Sequence, residues 1–434
     1  MSGGADFEAI VVGAGPAGSS AAWRLARLGR KVLLLERGAY PGAKNLFGGM
    51  IYSVELARHF PQFVQEAPIE RPVTRHSTHF LAGERSLNVD FSCDPFGSAP
   101  YNGFTAFRSR FDRWLAAQAV AAGAILAAST VVDDLIEERG RVVGVVARRE
   151  QGEIRAPVVI LADGILSLLG QKAGLVRERE PKHYSLGVRE VLALPSGVIE
   201  DRFQVDAAGG CAALFVGDWP KGLQGGGFVY TNRDSLSVGF VAQLPSLERQ
   251  GLNVTEALDA FKRQPAVRRL IAGSERLEYG AHLVPEGGFA MRPRLVRDGA
   301  LLVGDAAALV LAAGILYEGV HYAMHSGILA ADAVDAALQR GDVSAQGLAE
   351  YPRALRASYV DRNLRAFRHV PAFATNPSIY SHLPQALCRV GEDFFRADAS
   401  GHRKLLPLLY RHLAQGRLAA AAHDLWLTAR AFFA

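Results

Sequence analysis

Residues 7–12, Phe-Glu-Ala-Ile-Val-Val, form a short β-branched run without polar alternation, the pattern of a strand covered on both faces. A second such run, Lys31-Val32-Leu33-Leu34-Leu35, closes on Glu36, and the good helix formers between the two stop at Gly29. Two more buried-strand runs come later. Val158-Val159-Ile160-Leu161-Ala162 ends in Asp163-Gly164, and Ala300-Leu301-Leu302-Val303 ends in Gly304-Asp305 ahead of an alanine-rich stretch expected to be helical. The chain thus opens with β–turn–α–β and returns twice to the same kind of strand.

Other periodicities set the rest apart. Residues 130–135 and 142–148 read as a hairpin around Arg139-Gly140, and residues 184–192 and 227–241 alternate with glycine-rich turns as in an antiparallel sheet. Residues 40–61 read as loop, residues 108–123 as a helix after Phe107, and residues 330–339 and 348–434 as helical in composition. The expected fold is α/β: a Rossmann-like nucleotide domain from residues 1–180 and 281–340, an inserted antiparallel β domain over 181–280, and a helical C-terminal region over 341–434.

Composition narrows the class. At 434 residues there is length for two or three packed units. Charged residues are 21% against about 25% in typical domains, while 49% are hydrophobic, which excludes disorder and leaves a large core or some exposed apolar surface. The net charge of +5 comes from scattered basic residues, so no nucleic-acid footprint stands out. Ordinary solubility and attraction to an acidic partner or an anionic membrane both remain open. Cys93, Cys211 and Cys388 lie too far apart for a disulfide framework, a metal site or an iron–sulfur cluster. Residues 1–10 lack the pattern of a secretory leader, and Gly304-Asp305 interrupts the most apolar window, residues 301–317. A cytoplasmic protein without a helical membrane span is expected.

The chemistry begins at Gly13-Ala14-Gly15-Pro16-Ala17-Gly18, between the first strand and its helix, with Glu36 ending the next strand. The first glycine permits the turn, the second a close approach to a pyrophosphate, the third close helix–strand packing, and the acid can hold an adenosine ribose. This pattern does not choose between NAD and FAD. Asp163 and Asp305, at the carboxyl ends of later strands, can hydrogen-bond a polyol, and both point to FAD.

The run Gly42-Ala43-Lys44-Asn45-Leu46-Phe47-Gly48-Gly49-Met50-Ile51-Tyr52, followed by Phe60-Pro61 and Ala67-Pro68-Ile69-Glu70-Arg71, resembles FixC and the electron transfer flavoprotein–quinone oxidoreductases, within the geranylgeranyl reductase-like FAD oxidoreductases. So do Lys182-His183-Tyr184-Ser185-Leu186-Gly187-Val188-Arg189-Glu190-Val191, Gly225-Gly226-Gly227-Phe228-Val229-Tyr230-Thr231-Asn232 and His282-Leu283-Val284-Pro285-Glu286-Gly287-Gly288. The likeness runs from the first strand to about residue 400, and these motifs are family-specific.

The resemblance implies a FAD-binding domain of the glutathione reductase and p-hydroxybenzoate hydroxylase kind. It also implies an FAD-dependent oxidoreductase that takes electrons from an electron transfer flavoprotein and passes them to a membrane quinone. Fused members carry a C-terminal four-cysteine [4Fe–4S] domain, whereas FixC-type proteins work with a separate ferredoxin-like subunit, the arrangement expected here. The expected partners are the electron transfer flavoprotein α and β subunits, that [4Fe–4S] subunit and quinone. They would form an electron-bifurcating FixABCX-type complex, peripheral at the inner face of the cytoplasmic membrane, with nitrogen fixation a candidate process.

By the same resemblance Gly13, Ala14, Gly15, Pro16, Ala17 and Gly18 are expected at the FAD pyrophosphate, and Glu36 and Arg37 at its adenosine. Lys44, Gly48, Gly49 and Met50 are expected beside the isoalloxazine or ribityl chain, Arg108 at the phosphates, and the Val132 backbone at adenine. Gly304 and Asp305 match the ribityl-binding pair, and Gly314 and Ile315 the turn offering amides to the flavin N1 and O2 edge. Residues 309–319 depart from the FixC pattern, which has a Gly-Phe-Cys-like start and an Arg before the final glycine. No catalytic residue or metal ligand is assigned, because a flavin carries the redox chemistry itself. His183, Tyr184, Tyr230, His282, Tyr317 and His321 are candidates for a quinone carbonyl, each with an apolar body and a polar tip. Residues 40–63 and 405–433 are candidates for membrane contact. Two alternatives stand beside this reading: a stand-alone geranylgeranyl reductase-type enzyme acting on isoprenoid double bonds, which residues 317–327 also resemble, and a non-enzymatic FAD-bearing subunit.

Overall fold

A computed structural model describes residues 6–45, 48–150, 152–178, 180–217, 219–220, 222–286, 288–314, 317–399 and 401–433. Ile315, and the motif residues Leu46, Phe47 and Gly287, lie outside the described residues.

The apolar runs form the centre of a six-stranded sheet in the order Val296–Arg297, Ala300–Leu302, Val158–Leu161, Ala9–Val12, Val32–Leu35, Ile125–Ala127. All its pairings are parallel except that of Val296–Arg297 with Ala300–Leu302. The four residues of Ala9–Val12 are fully buried, as strands covered by helices on both faces must be. The covering helices include Pro16–Arg27 and the long helix Val320–Arg340, which cross closely. The hairpin expected around Arg139-Gly140 is present. Val132–Glu138 pairs with Arg141–Ala147, and both turn residues have positive φ, the geometry that suits a two-residue hairpin turn.

A second sheet of seven strands runs in the order Glu275–Pro285, Tyr184–Ala193, Ser235–Gln243, Gly225–Thr231, Cys211–Gly217, Arg75–Ala82, Arg85–Ser92. It is antiparallel except where Cys211–Gly217 pairs in parallel with Arg75–Ala82. Two of its strands therefore come from residues 75–92, far upstream of the others. One face packs Val188, Phe215, Val238 and Phe240 against the helices Val254–Arg263 and Pro265–Ile271. The other face looks toward the first domain. Arg71 joins the two units. Only 3% exposed, it donates to the carbonyls of Asn232, Asp206, Gly209 and Arg233 and to Glu200 Oε1 at 2.8–3.1 Å, so all of its guanidinium nitrogens are engaged.

Two local expectations differ from the structure. Residues 40–61 are not all loop: Gly48–Tyr52 is a strand paired with Gly103–Phe107, and Val54–His59 is a helix. Its partner strand lies fifty residues downstream, so local pattern could not reveal it. After Gly304-Asp305 the chain makes one 3-10 turn and a short hairpin, Leu311–Ala312 with Tyr317–Glu318, and the long helix begins only at Val320.

The helix crossing depends on Gly327, where a Cβ would sit 2.1 Å from the Ala17 carbonyl oxygen. Gly327→Ala should therefore force the helices apart, with a loss of about 1–3 kcal/mol in denaturant unfolding, despite alanine's better helix propensity.

Candidate functional site

The turn after Val12 and the first turn of Pro16–Arg27 place three glycines as the motif requires. Gly13 has φ +103° and its missing Cβ would lie 2.2 Å from the Ala162 carbonyl, at the end of the neighbouring strand. A Cβ on Gly18 would lie 1.9 Å from the Gly13 carbonyl, so helix and turn touch. A Cβ on Gly15 would meet nothing within 4 Å. Open space thus faces the first turn of Pro16–Arg27, where the unpaired helix amides favour an anion. Glu36 is buried and held from both sides. Its Oε2 accepts from the Ala14 amide at 3.0 Å and its Oε1 from the Gly38 amide at 2.6 Å, which leaves lone pairs for a further donor.

The other expected residues converge on this end of the first helix, or do not, as follows. Gly304 has φ +61°, its Cβ position 2.7 Å from Ala17 Cβ, and its amide donates to Ser326 Oγ at 2.9 Å, which sets the half-buried Asp305 beside the helix start. Arg108 opens the helix Arg108–Ala121 and grips Asp112 through two bonds of 2.7 and 2.9 Å. Burial would lower its pKa, but Asp112 and Asp305 raise it, so the guanidinium stays charged beside the cradle. Gly48, Gly49 and Met50 lie on the strand Gly48–Tyr52, opposite Phe107, Ala106 and Thr105. Arg37 and Lys44 are exposed, and Val132 starts its strand half-buried. Asp163 caps the short helix Leu168–Lys172, accepting from the Leu169 amide at 3.0 Å. Gly314 has φ +88°, and its Cβ position lies 2.7 Å from the Phe432 ring, so the last helix, Leu418–Phe432, ends on this turn.

The second sheet brings its inner face against these residues. His282, on the edge strand, feels Arg108 and Arg37; burial and these two cations push its pKa down to about 4. Arg189 is 3% exposed. Its Nη2 donates to Glu278 at 2.7 Å, while Nε and Nη1 have no partner, and the guanidinium lies 5.9 Å from the ring of Phe107, next to Arg108. Such buried unmet donors are what an anionic group would satisfy.

Farther along, Tyr317 donates to Glu286 Oε1 at 2.5 Å, in the electrostatic reach of Tyr230 and Tyr380. Burial pushes Tyr52 up to about 12, helped by Glu318, and raises Tyr230 further, so these phenols stay protonated and can donate. Tyr52 also lines a cavity of about 220 Å³ with His76, Phe96, Asn102, Ala212 and Leu214, and Ala212 is the register partner of Tyr230. Of the quinone-carbonyl candidates, Tyr230 and Tyr317 come together here, and His321 packs on Tyr52 with ring centroids 5.5 Å apart. His183 is half-buried at the start of the strand bearing Tyr184, which is buried in a small cluster with Ile165, Met291 and Ala308. Tyr52, Arg189, Glu286 and Tyr380 were not singled out by sequence reasoning. Tyr52, Arg189 and Glu286 stood inside the family motifs; nothing local marks Tyr380 as their neighbour.

The His282 environment carries a pH signature. In the folded chain its pKa is depressed, so between about pH 6.5 and 4 the unfolded state binds more protons and stability falls as pH falls. Without added cofactor, His282→Gln should remove a slope of at most about 1 kcal/mol per pH unit in that window, read by urea unfolding of both proteins at several pH values.

Comparison with known proteins agrees with this geometry. Residues 6–206 match the family model "FAD binding domain", and residues 184–284 match "ETF-QO, ubiquinone-binding". The chain is 42% identical over 406 residues to the probable electron transfer flavoprotein-quinone oxidoreductase YdiS of Escherichia coli (strain K12), covering 94% of each. It is 38% identical over 398 residues to Protein FixC of Bradyrhizobium diazoefficiens, covering 91% of each. In fold it is similar to a geranylgeranyl bacteriochlorophyll reductase-like protein of Thermoplasma acidophilum, with TM-score 0.72 and 20% identity over 97% of this chain and 98% of that one. The halogenase CndH is similar with TM-score 0.63 and 21% identity over 97% of each chain. The three-glycine cradle, the buried acid beyond it and these relatives lead to one conclusion: the chain belongs to the FixC and electron transfer flavoprotein–quinone oxidoreductase family of FAD-dependent oxidoreductases.

Proposed function

We propose that this FAD-dependent oxidoreductase accepts electrons from a two-subunit electron transfer flavoprotein and passes them to a membrane quinone, as the FixC-like subunit of an electron-bifurcating complex with a separate ferredoxin-like [4Fe–4S] protein. The observation that carries the reading is the ubiquinone-binding module over residues 184–284, whose inner face turns a protonated tyrosine and a cavity toward the FAD domain. YdiS, a relative named as a probable electron transfer flavoprotein–quinone oxidoreductase, aligns over nearly the whole chain, which supports the same donor and acceptor.

When bound, FAD would supply two-electron acceptance and one- or two-electron release. The amides of residues 13–18 would hold its pyrophosphate at the helix N-terminus, with Arg108 as counter-charge and Glu36 as acceptor for the ribose. Asp305 would take the ribityl chain, Arg37 and the Val132 backbone the adenosine, and Lys44, Met50 and Gly314 would flank the ring. Asp163 is a less direct candidate, since its carboxylate already caps a helix. Tyr230 would donate to a quinone carbonyl, with Tyr317, whose hydroxyl is held by Glu286, beside it. The domain division into residues 1–180 with 281–340, 181–280 and 341–434 is proposed with one addition, that residues 75–92 belong with the second sheet.

The test is anaerobic. The purified FAD protein should be reduced by its candidate flavoprotein donor and reoxidised on addition of a quinone; absence of reoxidation removes the quinone reading. The similarity to a geranylgeranyl reductase-like structure favours a second reading, in which turnover of an unsaturated isoprenoid replaces quinone reduction.

No helix among the described residues is long and apolar enough to cross a membrane. Peripheral docking at the inner membrane face is proposed on the C-terminal helices, where Leu406, Tyr410, Leu425, Trp426 and Phe433 are exposed beside Arg411, Arg417 and Arg430. Among the described residues of 40–63, Ile51, Leu56, Phe60 and Phe63 are buried in the core, while Tyr40 and Val54 are exposed. The protein should float with anionic liposomes, and replacing Leu406, Leu425 and Trp426 with Ser should abolish flotation while the FAD absorbance stays unchanged.

A further inference from the structure

Beside the site lies a polar cluster that nothing above uses. Glu55, on the helix Val54–His59, is 0% exposed. One carboxylate oxygen, Oε2, has His325 Nδ1 at 3.2 Å and His59 Nε2 at 3.4 Å; the other, Oε1, has the Tyr359 hydroxyl at 3.2 Å and Arg58 Nη1 at 3.4 Å. Burial by itself would raise the Glu55 pKa, but His325 and His59 outweigh it and hold the carboxyl well below the usual range. The carboxylate is therefore an anion between two imidazoles.

The two imidazoles face different ways. His59 is 30% exposed at its side chain, with its ring edge-on to Trp23. His325 is 12% exposed; neither its Nδ1, close to Glu55 Oε2, nor its Nε2 is in hydrogen-bonding geometry with a partner. One turn back along the long helix stands His321, 4% exposed, with its ring parallel to that of Tyr359 at a centroid separation of 6.1 Å. His321 Nε2 is 3.2 Å from Glu318, and its ring packs on Tyr52, which lines the 220 Å³ cavity. The remaining polar neighbours are Tyr322 and Asn363, bonded to each other at 2.7 Å. Among the described residues no group of His, Cys, Asp or Glu is arranged to hold a metal ion, so the cluster is not a metal centre. It has one end in solvent and the other at the cavity.

Quinone reduction needs such a connection. A quinone becomes a quinol by taking two electrons and two protons. When bound, a reduced flavin in its anionic form would supply two electrons and one proton, so each turnover would draw one more proton from solvent. Imidazole is the side chain suited to pass it on near neutral pH. We propose that His59, Glu55 and His325 form the outer half of a proton path, continued by His321 and Tyr52, that delivers this second proton to the quinone cavity. The histidines carry the proton, and Glu55 is a positioning residue that holds the positive charge between them. Between His325 and His321, one helical turn apart, the path requires a bridging water. The proposal rests on the quinone reading above.

The test uses the full-length, FAD-loaded protein, reduced anaerobically with dithionite and mixed with a short-chain quinone in H₂O and in D₂O. A pH-indicator dye follows proton uptake while absorbance follows the flavin. In the unaltered protein the two signals should coincide. Glu55→Gln and His59→Asn should slow reoxidation roughly hundredfold at alkaline pH, a size typical of lost proton transfer, enlarge the solvent isotope effect and leave the flavin spectrum and its reduction by dithionite unchanged. Added imidazole should restore the rate to His59→Ala, which a purely structural role would not allow. Variants that match the unaltered protein in rate, isotope effect and proton uptake overturn the path while leaving quinone reduction intact. Failure of any quinone to reoxidise the unaltered protein overturns the quinone reading and the path together. Should Glu55→Gln not fold, the partly exposed His59 variants decide the matter alone.

Discussion

Everything in the molecule is arranged around the close approach of backbone to the N-terminal end of the helix Pro16–Arg27. Gly13 against Ala162, Gly18 against Gly13, Gly304 against Ala17 and Gly327 against the Ala17 carbonyl are all contacts that leave no room for a Cβ. Because these four positions carry no side chain, three strand ends and the long helix Val320–Arg340 can meet one helix terminus. That meeting leaves the helix amides facing open space at Gly15 and fixes Asp305 beside them. It also fixes the first turns of the long helix, which carry His321 and His325. The nucleotide cradle and the histidine cluster are thus set by one crossing, and a disturbance at Gly327 reaches both.

Buried charge is handled in two distinct ways. Arg71 meets acceptors on every guanidinium nitrogen, and Asp112 answers Arg108 in a two-point grip. Arg71 thereby joins the two domains, while Arg108 and Asp112 answer each other within one helix. Arg189, His325 and Glu55 are different, since each keeps a buried polar atom without a hydrogen-bond partner. Full satisfaction within the chain is what a fixed joint needs; unmet polar atoms beside a cradle are better suited to a ligand or a passing proton.

This contrast explains what could be read from the sequence. The parallel strands, the glycine cradle, Glu36 and the hairpin at Arg139-Gly140 are local features, and each sits where its pattern put it. Gly48–Tyr52 was hidden because glycine-rich sequence reads as loop until Gly103–Phe107 pairs with it. The strands of residues 75–92 form a hairpin with each other, but their place in the second sheet comes from the distant strand Cys211–Gly217, which pairs with Arg75–Ala82. The Glu55 cluster draws on three helices, one of them more than 250 residues upstream of the other two, and only the His321 and His325 spacing on one helix face gave a local sign of it. Asp163 shows the converse: a strand-end acid with the right position can be spent on capping the next helix.

The C-terminal helix connects surface to site. Leu418–Phe432 exposes Leu425 and Trp426 to solvent, yet it lays Phe432 on Gly314, at the turn expected to face the flavin, and packs the same ring edge-on to Phe373 at 5.1 Å. A helix that exposes several large apolar side chains is suited to respond to a bilayer. Since Gly314 holds a positive φ with an aromatic ring in van der Waals range, any shift of that helix must either move the ring or move the turn. If this face is the one that meets the membrane, docking and the flavin's surroundings are coupled through Phe432, and the enzyme's electronic environment would differ between its free and its membrane-bound forms.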